Sequence, residues 1–166
     1  MDEEGVKQAR ALGESLAGKV EVVYASPLKR ALETATHVCR DAKVEEGLQE
    51  MDQGHLDGLT VEEALERYPE FFQAWESDPT HALAPGGGSL GTCRDRAFDA
   101  LRRIAQRHAG AERPILVVSH QLVLASIRCE LLGEPLSNWR KHRAFHCEGF
   151  RIGLEEPWCL RGSVVF

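Results

Sequence analysis

The sequence predicts an α/β fold with three layers, in which helices flank a mainly parallel sheet on both faces. Two apolar runs rich in β-branched residues, at 20–26 and 115–119, have the length and composition of strands buried inside such a sheet. Segments with the apolar spacing of amphipathic helices alternate with these runs along the chain. The 166 residues are 43% hydrophobic and 28% charged, which suits one globular domain with a proper core. We therefore expect a single domain over residues 1–166.

The first three elements are predicted to be a helix, a strand and a second helix. Residues 2–18 place apolar side chains on one helical face, with Asp2 able to cap the start and Gly18 able to end the helix. The run "VEVVYAS" (20–26) follows as a strand, and Pro27 suits the first turn of a helix over residues 27–42.

The middle of the chain begins with an extended segment at 43–51, expected to be an edge strand. Thr60 and Glu63 have the spacing of a capping box, which predicts a helix over residues 60–68. The other predicted elements are a loop at 52–60, a short helix at 69–78, a flexible loop at 79–89, a long helix at 90–110, the strand at 115–119, a helix at 121–132, and a closing hairpin made by 148–156 and 158–166.

The composition excludes several classes of protein. The net charge of −6 leaves no basic surface for nucleic acid, and neither a membrane-length apolar run nor a signal peptide is present. The five cysteines are scattered without paired spacing, which favours reduced thiols in a cytoplasmic protein over a disulfide framework or a zinc site. The pair His142 and His146 lacks a third ligand, so we expect no metal and no organic cofactor.

Three polar corners follow the predicted strands. Arg30 lies in the first turn of a helix after the strand at 20–26, where backbone amides and a guanidinium favour an anion. Glu50 ends the extended segment and could exchange a proton, and His120 ends "ILVVSH", where ligands of α/β sheets collect. Together they suggest a phosphate site with a proton donor on its rim. The alternative is that each is an ordinary polar residue: an exposed arginine, a solvated glutamate and a satisfied histidine at a strand end.

The order of five segments resembles that of the histidine phosphatase superfamily, which has the phosphoglycerate-mutase-like fold. The segments are "DEEGVKQARALGESL", "VVYASPLKRALETA", "LQEMDQGHLDGLT", "PGGGS" and "ILVVSHQLVLASIRCELLG". The resemblance covers nearly the whole chain, and the short span between Glu50 and "PGGGS" is similar to the compact phosphatase branch.

The resemblance implies a phosphohistidine mechanism acting on a small phosphorylated substrate. In this family a nucleophilic histidine takes the phosphoryl group, a second histidine and two arginines surround the phosphate, and an acid protonates the leaving alcohol. By position His120 matches the second histidine, Arg30 matches the second arginine, and Glu50 matches the acid. We expect His120 to act as an imidazolium bound to a phosphate oxygen.

The sequence departs from the family at its start. The family's nucleophile lies in an Arg-His-Gly motif after a first strand, and no such motif occurs in these 166 residues. Neither Arg107-His108, at the end of a predicted helix, nor Arg161-Gly162, which has no histidine between them, replaces it. We therefore expect an N-terminally truncated domain whose first strand is missing. Smaller departures are Gly88, where the family has a carboxylate, and Gln121-Leu122, where it has two glycines.

Three functional readings follow. The first is a phosphomonoester hydrolase, or a phosphoglycerate-mutase-like phosphoryl transferase, whose nucleophile is absent from this chain, so that the chain as written turns over little substrate. The second is a catalytically inactive pseudoenzyme that binds a phosphorylated ligand or a partner. The third is a truncation product without function. Because strand edges would be left unpaired, we also expect marginal solubility or an edge-to-edge homodimer.

Overall fold

The protein is a mixed α/β structure with a parallel sheet, as the sequence predicts. A computed structural model describes residues 1–155 and 157–165. The strands are β1 (Val22–Ala25), β2 (Lys43–Val44), β3 (Ile115–Val118), β4 (Glu148–Ile152) and β5 (Leu160–Val165). The α-helices are α1 (Glu3–Leu16), α2 (Lys29–Val38), α3 (Val61–Arg67), α4 (Pro69–Ser77), α5 (Leu90–Arg107) and α6 (Gln121–Leu131). Short 3₁₀ helices occur at Glu46–Leu48, Gly54–Leu56 and Leu136–His142.

Strands β2, β1 and β3 form a parallel sheet in that order. Val22 pairs with Ile115 and Ala25 with Val118, so β1 and β3 end at the same edge of the sheet. The Ser26 amide donates to the Val118 carbonyl oxygen at 3.0 Å, which extends the pairing by one residue. The side chains that follow the two strands are therefore brought side by side.

The position of β3 differs from the expectation of a strand buried in the middle of the sheet. Within residues 1–155 and 157–165, no strand pairs with the outer edge of β3, and all four of its residues are only partly buried. The closing hairpin β4–β5 is antiparallel, as predicted, and forms a separate sheet. Val117 of β3 and Phe150 of β4 nevertheless pack against the same apolar core.

That core lies mainly between α5 and α6, on one side of the sheet. Both helices bury small and branched side chains in it, and two buried tryptophans pack with these side chains. Its buried members include Leu90, Cys93, Ala97, Leu101, Val123, Ala125, Ile127, Cys129, Trp75 and Trp139. In the described residues no helix combines the length and apolarity needed to cross a bilayer.

Side-chain caps begin three of the α-helices, α1, α3 and α5. The Asp2 carboxylate accepts from the Gly5 amide at 2.8 Å, and the predicted capping box of Thr60 and Glu63 is present. A second capping box, between Ser89 and Thr92, starts α5.

The segment at 43–51 forms the predicted edge strand only at its start, over Lys43–Val44. Pairing with β1 stops at Val44, and a 3₁₀ turn follows at Glu46–Leu48. Gly47 explains the turn, because a Cβ atom there would lie 2.6 Å from the Cβ atom of Ala100 on α5. Only a glycine lets the backbone approach that helix so closely.

Candidate active site

His120 and Ser26 meet where β1 and β3 end. His120 is 6% exposed and Ser26 is fully buried. The His120 Nε2 atom lies 2.7 Å from the Ser26 Oγ atom, and the Leu28 amide donates to the same oxygen at 3.3 Å. The parallel register of the two strands thus brings together two polar residues that lie 94 positions apart in the sequence.

Arg30 completes this group from the first turn of α2. Its Nε atom donates to the Nδ1 atom of His120 at 3.2 Å. Arg30 is exposed, so its guanidinium faces the solvent-accessible side of the group. The predicted pairing of Arg30 with His120 at one sheet edge is therefore present in the structure.

His120 is neutral in this arrangement, whereas the predicted imidazolium refers to His120 bound to a phosphate oxygen. Arg30 can only donate, so Nδ1 of His120 must be the acceptor and Nε2 carries the proton that is donated to Ser26. Burial, reinforced by the positive charges of Arg30 and Arg96, lowers the pKa of His120 from 6.5 to about 4. The cause is general, because desolvation and nearby cations both disfavour a charged imidazole.

Glu50 reaches the same edge from an irregular segment rather than from the end of a strand. Its Oε1 atom accepts from the Met51 amide at 3.0 Å, and its Oε2 atom accepts from the Leu122 amide in the first turn of α6 at 3.3 Å. Burial raises the pKa of the Glu50 carboxyl group, against the opposing effect of these amides and of Arg30. A carboxyl group with a raised pKa at the rim of an anion site suits a proton donor.

Arg96 is a residue of this site that the sequence did not point to. It lies on α5 and donates to the backbone carbonyl oxygens of residues 46, 47, 49 and 50, which lead into Glu50. A signal was available in the helical spacing, because Arg96 lies three residues after buried Cys93 and four before buried Ala100. A charged side chain beside the buried apolar face of a helix requires polar partners within the fold.

The loop substitutions are accommodated locally. Ser89 and Thr92 cap α5 without a carboxylate at position 88, and the Gly88 amide donates to the Asp52 carbonyl oxygen at 3.0 Å. Gln121 donates to the Ala144 carbonyl oxygen at 3.4 Å, which brings the loop before β4 close to the start of α6.

The other histidines considered at the outset lie in different settings. His108 follows the end of α5, and its Nε2 atom lies 3.0 Å from the Tyr24 hydroxyl. His142 contacts the Glu134 carboxylate at 3.0 Å. Among the described residues, no cluster of three or more His, Cys, Asp or Glu side chains could hold a metal ion. The chemistry that the site offers is hydrogen bonding and positive charge for an anion, with one carboxyl group beside it.

Sequence comparisons agree with this geometry. The profile of the histidine phosphatase superfamily, branch 1, matches residues 1–156. Phosphoserine phosphatase 1 of Hydrogenobacter thermophilus is 34% identical over 153 residues, covering 89% of this chain and 70% of that protein. A metal-independent phosphoserine phosphatase of Arabidopsis thaliana is 41% identical over 136 residues, covering 76% of this chain and 56% of that protein.

Solved structures show the same fold. A mycobacterial glucosyl-3-phosphoglycerate phosphatase, determined with inorganic phosphate, superposes with a TM-score of 0.81 at 26% identity, covering 99% of this chain and 86% of that one. The α-ribazole phosphatase of Shigella flexneri gives a TM-score of 0.76 at 27% identity, covering 96% and 81% of the two chains.

Proposed function

The chain belongs to the histidine phosphatase superfamily, and on that premise we propose that it carries the phosphate-binding and proton-donating part of a phosphomonoesterase that works through a phosphohistidine. The observation that carries the proposal is the convergence of Arg30, His120 and Glu50 at one edge of the sheet. Phosphoryl transfer depends on positioning and charge neutralisation, and these groups supply both.

Arg30 and His120 are the phosphate-binding pair. The exposed guanidinium of Arg30 offers donors in a fork that matches a phosphate, and the His120 ring lies directly behind it. The negative charge of a bound phosphate favours protonation of His120, which converts the ring into a second donor.

Glu50 is the proposed general acid. Its pKa is raised by burial, so more of it is protonated near neutral pH than of an ordinary glutamate. Protonation of the leaving oxygen matters most when the leaving group is an alkyl alcohol, which is a poor leaving group as an alkoxide.

The nucleophilic histidine belongs on a strand that pairs with the outer edge of β3. The Arg-His-Gly motif does not occur in the 166 residues. A strand running parallel to β3 along its outer edge would end beside His120, because parallel neighbours end at the same edge of a sheet. The substrate is a small phosphomonoester, and phosphoserine is the first compound to test, since the relatives named above include phosphoserine phosphatases.

A binding protein without turnover is the second candidate. The observation that favours it is the same absence of an Arg-His-Gly motif from a chain that retains Arg30 and His120. In that case phosphate or a phosphorylated partner would occupy the site without covalent chemistry.

Reading the genomic DNA in frame upstream of the Met1 codon separates the two candidates. We expect it to encode an apolar strand followed by Arg-His-Gly, and the longer product to hydrolyse phosphoserine in a His120-dependent manner. The 166-residue chain alone should hydrolyse an aryl phosphate only weakly. An in-frame stop codon directly upstream, together with phosphate binding but no turnover, would overturn the enzyme in favour of the binding protein.

A further inference from the structure

The Arg96 side chain spans the turn that leads into Glu50. Its Nη1 atom donates to the carbonyl oxygens of Glu46 at 3.3 Å and Gly47 at 3.0 Å. Its Nη2 atom donates to those of Gln49 at 3.0 Å and Glu50 at 3.2 Å. Because all four acceptors are backbone atoms, Arg96 acts on the path of the chain and not on the Glu50 carboxyl group itself.

We propose that Arg96 is a positioning residue for the reaction: it holds residues 46–50, here called the acid-bearing segment, so that the Glu50 carboxyl group stays at the start of α6. This inference rests on the proposed role of Glu50 as proton donor. On this proposal α5 contributes no catalytic group of its own but positions the Glu50 carboxyl group.

The shape of the guanidinium explains why an arginine serves here. The 3₁₀ turn at Glu46–Leu48 leaves carbonyl groups at its end without helical partners, as any helix terminus does. Arginine presents five N–H donors in a rigid planar fork, whereas lysine presents a single nitrogen on a flexible chain. A lysine at position 96 would therefore keep the charge but lose most of the clamp.

Other contacts hold the acid-bearing segment in the same position. The Ser119 hydroxyl donates to the Leu48 carbonyl oxygen at 2.8 Å, from the end of β3. Leu48 is fully buried, and Gly47 allows its backbone to lie against Ala100. The segment is thus anchored to the sheet by one side chain and to α5 by Arg96.

The placement matters because Glu50 depends on two amides and on burial. Its carboxyl group accepts from Met51 and Leu122. The charged or titratable groups near it include Arg30 on α2 and, on α5, the Cys93 thiol and the Arg96 guanidinium. A displacement of about 1 Å at a reacting group can cost a hundredfold in rate. A loosened segment would also hydrate the carboxyl group.

The test uses Arg96→Lys and Arg96→Met in the 166-residue chain, with Arg94→Met as the matched control. Arg94 lies on the same helix, and its ion pairs are with Asp95 and Glu130 at the surface. The readouts are NMR titrations of the Glu50 carboxyl carbon and of the His120 ring, which need neither substrate nor turnover.

In the lysine variant, which keeps the positive charge, the titration midpoint of Glu50 should fall towards the ordinary value of about 4.3, because the carboxyl group becomes hydrated. In the methionine variant the loss of the cation beside Glu50 opposes this fall. His120 separates position from charge: its midpoint should stay low in the lysine variant and rise in the methionine variant, which loses a nearby cation. The control should leave both midpoints unchanged.

An unchanged Glu50 midpoint in the folded lysine variant would overturn the proposal. If the methionine variant does not fold, the lysine variant carries the test alone. The result is independent of the proposed function, because a chain that never hydrolyses a phosphomonoester can still show the Glu50 shift. In an active longer product, both variants should lower kcat on alkyl phosphates more than on aryl phosphates, with little change in KM.

Discussion

The buried neutral histidine makes the stability of the protein depend on pH, and His120→Gln removes that dependence. His120 has a pKa of about 4 in the folded protein against 6.5 for a solvated histidine. At 1.36 kcal/mol per pKa unit, the free energy of unfolding should fall by about 3 kcal/mol as the pH drops through this range. Because His120 is only 6% exposed, screening by solvent does little to reduce this change in the free energy of unfolding.

The direction follows from proton counting. Between pH of about 4 and 6.5 the unfolded chain binds a proton at His120 that the folded chain does not, so stability rises with pH in this window. Glu50 acts in the opposite sense, because its raised pKa lets the folded state hold its proton at higher pH than the unfolded state does.

Urea unfolding of wild type and His120→Gln, each at about pH 7 and about pH 4.5, measures the effect as a double difference. Every other titrating group cancels between the two proteins. Wild type should lose roughly 2.5 kcal/mol more than the variant over this interval. Equal losses, or an NMR midpoint for His120 near 6.5, would refute the assignment of a neutral ring held by Arg30 and by burial.

Four further outcomes follow from the structure. Glu50→Gln in an active longer product should lower the rate on alkyl phosphates by about 10²–10⁴ and the rate on aryl phosphates much less; equal losses would argue against general acid catalysis. Gly47→Ala should reduce the free energy of unfolding by about 1–3 kcal/mol, since its methyl group overlaps Ala100, whereas Gly149→Ala, with open space around it, should reduce it less. Leu48→Ala should cost about 2.7–5 kcal/mol in the same assay, because the side chain is fully buried. Thr60→Ala should cost about 1 kcal/mol through loss of the capping box, and no loss would show that α3 is held by packing alone.

The convergence of the site could be predicted because it follows from topology. Once the runs at 20–26 and 115–119 are recognised as parallel neighbours, the residues after each must meet at one edge. Arg30 and His120 are therefore accessible to sequence reasoning although they are 90 positions apart.

The segment before Glu50 could not be predicted in the same way. Its conformation depends on the close approach of Gly47 to Ala100 and on the hydrogen bonds from Arg96. Ala100 and Arg96 lie about 50 positions further along the chain, on α5. Local propensity contains no information about such contacts, so the sequence alone predicts an extended segment. The protonation state of His120 in the protein alone depends in a similar way on long-range structure, namely on burial and on the bond from Arg30.

A phosphate dianion in this site would act on both titrating groups in the direction that catalysis needs. In the structure the His120 ring is kept neutral by burial and by two cations, Arg30 and Arg96. A dianion that takes over the Arg30 donors from Nδ1 of His120 compensates those cations and favours an imidazolium that donates to it. The same negative charge further raises the pKa of Glu50, which keeps the proton on the group that must donate it. The positive charge around the neutral His120 ring thus favours binding of phosphate, whose negative charge in turn favours protonation of that ring. The buried Glu50 carboxyl group beside it keeps its own proton and can act as an acid.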